Sequence, residues 1–495
     1  MKPAALFLAV LLVSTLACRR PPSRPTAATA SPATEARETQ IVSSPGRTRS
    51  DGPVIGEYAV QYDGRAELRV EASLAGVGRT FSVENGAERF VEDFEIASNS
   101  LGARWEPGTR EGRSFVAERC SASACKIRYR YRLREAARAL DDLSIASEEG
   151  LVIEAPASTW LLAPAEASRD ARVRFRVEAT SDTSFHTGVL RSRDAAGAWD
   201  IALGDLWTAP YSVFGPVRGR QVEAGTRLDV VIAPGKLTVA DEDVFAWTGG
   251  AARAVAGYFG RFPLSEALVV FVPSRGRWIG EGKTLSGGGG AIFVRLGESA
   301  PPRALREDWV LVHEMTHLAF PSVAREHDWA EEGLATYVEP IARTRAGLLS
   351  AEAGWSGLVE SLPKGLPAAG DRGLDRTPTW GRVYWGGALF YLLADVEIRK
   401  RTKNAFGLEH ALRGILAAGG DNTHRWALDD AFAAGDAATG VPVLRELHRA
   451  MGTSPHPVDL DALWRELGIA IAHATVRFDD AAPLAAIRRA IMTAD

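Results

Sequence analysis

His313 and His317 stand four residues apart, with Glu314 beside the first, in Glu307-Asp-Trp-Val-Leu-Val-His313-Glu314-Met-Thr-His317-Leu-Ala-Phe320. On a helix, positions i and i+4 differ in direction by about 40°, so both imidazoles leave one face. Two imidazoles one turn apart suit a single Zn2+. A carboxylate next to the first ligand sits where it can take a proton from water held by that ion. Asp308 lies near the expected helix start, and Trp309, Leu311, Val312 and Met315 supply apolar faces. The pattern points to metal-assisted hydrolysis, with His313 and His317 as ligands and Glu314 as general base. The bland alternative is a helix carrying two incidental surface histidines.

A tetrahedral catalytic zinc takes three protein ligands and leaves a fourth position to water. Downstream, Trp329-Ala-Glu331-Glu332-Gly333-Leu334-Ala335-Thr336-Tyr337-Val338-Glu339 reads as a second helix. The two segments together resemble the gluzincin metallopeptidases, the thermolysin-related clan that holds the aminopeptidase-N and glycyl-aminopeptidase families. The resemblance implies that Glu332, immediately before Gly333, is the third ligand rather than Glu331. It also matches an acidic position to Glu339, which either steadies a ligand histidine or is an ordinary exposed helix carboxylate. In Thr379-Trp-Gly-Arg-Val-Tyr384-Trp-Gly-Gly-Ala-Leu-Phe-Tyr391 it assigns Tyr384 as the hydrogen-bond donor to the tetrahedral oxyanion. Tyr391 reads as core, and Arg382 as solvent-facing, with substrate contact the alternative.

The likeness extends from roughly residue 240 to the C-terminus. Tyr258-Phe-Gly-Arg-Phe-Pro263 resembles the segment that opens the catalytic domain, and Ala394 to Arg399 and Leu460 to Gly468 resemble glycyl-aminopeptidase sequence. Ser286-Gly-Gly-Gly-Gly-Ala291-Ile-Phe-Val294 falls where these enzymes place the edge strand that pairs with peptide. Flexible glycines before an unpaired edge suit strand addition, so Gly289, Gly290, Ala291 and Ile292 are the expected substrate strand.

Rival patterns fail. A metzincin needs Gly at 320 and His at 323, where Phe320 and Val323 stand, which leaves His327 as a loop residue. Gly282-Lys283-Thr284 is no phosphate-binding loop, because Arg277 stands where that loop needs Gly. Two departures argue against aminopeptidase specificity. The interval from His317 to Glu332 is shorter than in aminopeptidase N, and the Gly-rich segment has no Glu matching the one that grips a free amino terminus. The reading is therefore a zinc metallopeptidase. An aminopeptidase is the alternative within that class; a non-catalytic envelope lipoprotein, binding a partner through its N-terminal sandwich, is the alternative outside it.

The remaining elements must position these residues. The 495 residues, 46% hydrophobic, allow two or three domains, each with a core. Short alternating runs at 66–72, 80–84, 173–179 and 227–232 predict a β-sandwich over residues 52–235. An amphipathic helix over 241–258 and a buried strand over 268–272 follow, and beyond Glu307 the signals are mainly helical. The expected fold is thus multidomain. The sandwich precedes an α+β thermolysin-like peptidase domain over 236–400 and a helical region over 401–495.

Residues 1–18 read as an export signal too short to span a bilayer, and Ser14-Thr15-Leu16-Ala17-Cys18 resembles a lipobox with Cys18 as the lipid site. Residues 19–51, rich in Pro, Ala, Ser, Thr and Arg, read as a disordered tether. The chain is expected at the bacterial cell envelope as a lipoprotein, otherwise periplasmic or secreted, with the lipid its only membrane contact. Cys120 and Cys125 are expected to face each other across a hairpin and to be joined in an oxidising compartment. After them Ile127, Tyr129, Tyr131 and Leu133 alternate with basic residues, predicting a strand with one wet Arg face. Lys+Arg of 58 against Asp+Glu of 62 gives no electrostatic footprint for nucleic acid. The expected partners are one Zn2+ and a peptide or protein substrate; composition leaves the oligomeric state open.

Overall fold

The computed structural model describes residues 52–494 apart from 101, 122, 123, 473 and 474. The export signal, Cys18 and the tether lie outside the described residues.

The first unit is built of sheets. β1 (Val54–Tyr62), β2 (Leu68–Leu74), β3 (Val91–Ser98), β4 (Cys125–Tyr131), β5 (Arg172–Ala179) and β6 (Trp199–Ala202) join with Glu106–Pro107 in one seven-stranded sheet. β1 pairs in parallel with β5 and antiparallel with β2. Alternate residues of β1, β2 and β4 are buried, as period-two patterning requires. That inner face shares a core with Phe81, Phe115 and Phe214 of two smaller sheets. On the outer face, Arg128 meets Glu95, and Arg130 meets Glu67 and Glu92. The basic stripe is therefore a half-exposed ladder of ion pairs, each worth under about 1 kcal/mol.

Cys120 and Cys125 form a disulfide. It does not cross a hairpin. Ser114–Val116 pairs with Thr80–Ser82 in a four-stranded sheet, whereas β4 lies in the seven-stranded one. Cys120 sits on the turn Glu118–Ser121, so the bridge ties the joint between two sheets.

The second unit begins with β7 (Arg218–Glu223), β8 (Arg227–Ile232), α1 (Asp241–Phe259), β9 (Glu266–Ser274), β10 (Ile279–Ser286) and β11 (Gly290–Gly297), whose strands form a sheet in the order β7-β8-β9-β11-β10. The run 227–232, grouped with the sandwich from its alternation, instead pairs in parallel with β9. Alternation specifies a strand; it does not specify the sheet that receives it.

The expected substrate strand is also corrected. β11, which carries Gly290, Ala291 and Ile292, is bonded to β9 on one side and β10 on the other. Gly289 just ahead of it bridges Val189. Ile292 and Val294 meet the helices, while Ala291 and Phe293 meet Tyr211 and Val213 of the first unit. The continuous apolar run 291–294 is what a strand covered on both faces demands. The sheet edge on this side is β10; β7 is the edge at the opposite end.

Helices cover the other face of this sheet: α2 (Val310–His317), α3 (Asp328–Arg345), α4 (Gly387–Arg401), α5 (Leu408–Ala417), α6 (Leu428–Thr439) and α7 (Val443–Met451). A buried polar knot fastens them. Asp395 accepts from Tyr337 at 3.0 Å, from Arg399 at 2.8 Å and from the Leu408 amide at 2.9 Å, and Arg399 also forks onto Glu409 at 2.8 Å. One carboxylate thus links α3, α4 and α5.

Candidate metal centre

α2 starts where Asp308 accepts from the backbone amides of Val310 and Leu311, each at 3.0 Å. Burial pushes the Asp308 carboxyl up to about 6, against the pull of those amides. Leu311, Val312 and Met315 sink into the core, which turns His313 and His317 toward α3. On α3, Trp329, Leu334, Tyr337 and Val338 are buried and Glu332 is half-buried. Gly333 explains how α4 comes so near: a Cβ there would lie 2.3 Å from the Cα of Gly387. The glycine after the third candidate ligand therefore allows two helix backbones to touch.

His313 Nε2 lies 3.3 Å from Glu332 Oε2, and His317 Nε2 lies 3.6 Å from the same oxygen. Bonds of about 2.0–2.2 Å to a tetrahedral zinc place ligand atoms roughly 3.3–3.5 Å apart, so this donor set fits the ion in type and spacing. Burial opposes a charged His317, yet Glu332, Glu314 and Glu331 outweigh it and raise the ring to about 9. Burial likewise works against an ionised Glu332, and the two imidazoles overcome it, holding the carboxyl well below its usual range. The cluster stores the electrostatic pull that a divalent cation would satisfy.

The edge strand supplies the next layer. Thr284 Oγ1 donates to Glu314 Oε2 at 2.7 Å and lies 3.0 Å from the Glu314 carbonyl oxygen. A Cβ on Gly282 would lie 2.7 Å from Glu314 Cγ and 2.8 Å from its Oε1. Thr284 fixes the expected base, and Gly282 leaves room for it. Tyr384 sits in a π-helical turn, Gly381–Gly386, that runs into α4. Such turns recur at functional sites because they swing side chains out of helical register. Its ring stacks on His313, centroids 6.3 Å apart at 15°, and on Trp380 at 6.0 Å and 30°. Trp309, edge-on to His313 at 5.5 Å, is 51% exposed, as is Trp380.

The structure thus brings together His313, His317, Glu332, Glu314 and Tyr384. Glu339 is neither a histidine-orienting group nor an exposed carboxylate. It is buried and accepts from Arg343 at 2.7 Å, while burial pushes it up to about 7. Arg382 is not solvent-facing; it is buried with its guanidinium 2.8 Å from Asp371. Burial holds its pKa down, against the pull of that carboxylate. Thr284 and Gly282 were missed by sequence reasoning, because nothing local marks β10 as the strand beside α2.

Comparison with solved structures places the fold. An aminopeptidase N family protein from Idiomarina loihiensis is similar at a TM-score of 0.64 and 13% identity, over 84% of this chain and 78% of that one. A mutant M1 zinc metallopeptidase from Deinococcus radiodurans, bound to a Tyr-Ser-Ala substrate, is similar at 0.50 and 15% identity, over 84% and 99%. A two-domain M1 zinc metallopeptidase mutant bound to L-arginine gives 0.50 and 16%, over 84% and 99%. No protein-family model matches the sequence, and no curated protein matches it. The chain has the gluzincin aminopeptidase-like fold, a β-rich N-terminal region followed by a largely helical C-terminal part.

Proposed function

We propose that the protein is a zinc-dependent peptidase of the gluzincin type. The observation that carries the reading is the convergence of His313, His317 and Glu332 beside a Glu314 held by Thr284. His313, His317 and Glu332 would hold the ion, which when bound supplies a Lewis acid for the scissile carbonyl and an activated water. Glu314 takes the proton from the attacking water and delivers it to the leaving amine. Tyr384, whose ring stacks on His313, donates to the oxygen that gains charge. The exposed faces of Trp309 and Trp380 offer apolar contact to substrate side chains.

An extended peptide would add to β10, the edge strand that lies beside Glu314. Its one carboxylate, Glu281, lies 4.0 Å from Arg295, which is itself paired with Glu149 of the first unit at 2.7 Å. Gly282 and Thr284, which face Glu314, offer no anion for a free amino terminus. This supports cleavage that does not require one. The lipobox-like Cys18 and the Cys120–Cys125 bridge support a lipid-anchored enzyme on the oxidising side of the cell envelope.

A peptide-library digest with mass readout tests the reading, using free and acetyl-blocked amino termini. Wild type should cut both sets, Glu314→Gln should cut neither while keeping its metal, and chelation should silence the wild type reversibly. Cleavage of unblocked peptides alone would make it an aminopeptidase. Undiminished cleavage by Glu314→Gln would sink the mechanism.

A further inference from the structure

We infer that His327, Asp375 and His448 form a second divalent-metal site, separate from the centre on α2 and α3. It takes Zn2+ or a similar first-row ion and clamps the C-terminal helices to the start of α3. The inference does not depend on peptide hydrolysis.

Three distant parts of the chain converge there. His327 immediately precedes α3, Asp375 lies on the short turn Leu374–Arg376, and His448 lies on α7. His327 Nδ1 is 2.8 Å from Asp375 Oδ1, and His448 Nε2 is 3.1 Å from Asp375 Oδ2. The three ligand atoms lie within 4.8 Å of one another; a tetrahedral ion wants its donors about 3.4 Å apart, so gathering them needs side-chain shifts of up to roughly 1 Å. Two imidazoles and one carboxylate are a donor set that suits zinc and its neighbours.

The supports around the ligands are in place. The two imidazoles cross at 84° with centroids 5.6 Å apart, close to the 83° and 4.9 Å of His313 and His317. Trp329 packs on the His448 ring at 5.8 Å and Phe432 at 5.7 Å, fixing its direction. Trp329 Nε1 donates to Asp375 Oδ1 at 2.8 Å, the kind of outer hydrogen bond that orients a ligating carboxylate. A Cβ on Gly452 would reach 2.7 Å from Asp375 Oδ2; glycine keeps that oxygen clear. All three side chains are partly exposed, which leaves an entry path and a place for water.

The test uses the full chain carrying both His313→Ala and His317→Ala, which removes the centre on α2. After chelation and dialysis, this protein should rebind about one equivalent of Zn2+, and zinc should raise its Tm. Co2+ in place of zinc should give a visible absorption band. Adding Asp375→Asn, which keeps the acceptor for Trp329, or His448→Gln should abolish the equivalent, the band and the Tm shift together. If the His448→Gln protein does not fold, Asp375→Asn decides alone. No rebinding by the double-histidine variant, or undiminished rebinding after Asp375→Asn, overturns the proposal. A failure of the catalytic reading shows separately, as wild type and double-histidine variant binding the same amount of metal.

Discussion

Thr284 donates its hydroxyl to the carboxylate of Glu314 at 2.7 Å across the gap between a sheet edge and a helix. The strand that would receive substrate therefore also aims the group that would activate water. Positioning of this kind is worth much in catalysis, because a displacement of about 1 Å can cost 10²-fold in rate.

Thr284→Val should accordingly lower kcat by about 10-fold or more with little change in KM. Gly282→Ala should cost more, since its methyl would intrude on Glu314 Cγ at 2.7 Å. Steady-state kinetics on a blocked peptide checks both, with circular dichroism showing that each variant is folded. Wild-type kcat in Gly282→Ala would contradict the arrangement.

Tyr384→Phe should retain metal and lower kcat by roughly 10²-fold, the usual loss when one oxyanion donor is removed. Trp380→Ala, which removes the ring stacked 6.0 Å from Tyr384, should give a smaller loss. A Phe variant as fast as wild type would take Tyr384 out of the chemistry.

Arg399 is 97% shielded as a side chain and serves both Asp395 and Glu409. Arg399→Met should destabilise the protein by about 3–5 kcal/mol, because buried Asp395 loses its arginine and Glu409 is left with Arg345 alone, at 3.5 Å. Chemical denaturation reads this directly. A loss under about 1 kcal/mol would mean the network is replaceable.

Glu154 gives the pH dependence. Burial raises its carboxyl to about 8, with a Ser147 hydrogen bond pulling the other way, while the unfolded chain titrates near 4.5. A carboxyl raised in the folded state contributes stability that is complete below about 4.5 and is lost as pH climbs through 8. Each pKa unit is worth about 1.4 kcal/mol. Glu154→Gln should flatten the fall in Tm between those limits and be the more stable protein at the alkaline end. Parallel Tm–pH curves for the two proteins would contradict this assignment.

What the sequence determined is local and periodic. Spacing of four residues places His313 and His317 on one helical face wherever that helix lies, and a carboxylate beside the first ligand travels with it. Period-two burial in β1, β2 and β4, and the cap that Asp308 gives α2, are likewise written within a few residues. Glu332 was reachable only through resemblance, because its distance to His313 depends on how α3 crosses α2.

Tertiary structure alone decided which strands are edges and which edge lies beside Glu314, because alternation and glycine content describe a strand but not its neighbours. It therefore moved the expected substrate edge from Gly289–Ile292 to β10, and so revealed Thr284 and Gly282 as partners of Glu314. It also turned Glu339 and Arg382 inward, since helix burial is set by the elements packed on each face. His327, a loop residue by spacing, found Asp375 and His448 only when segments 48 and 73 residues apart from Asp375 met in space. No pattern along the chain can register a contact whose partners are chosen by packing.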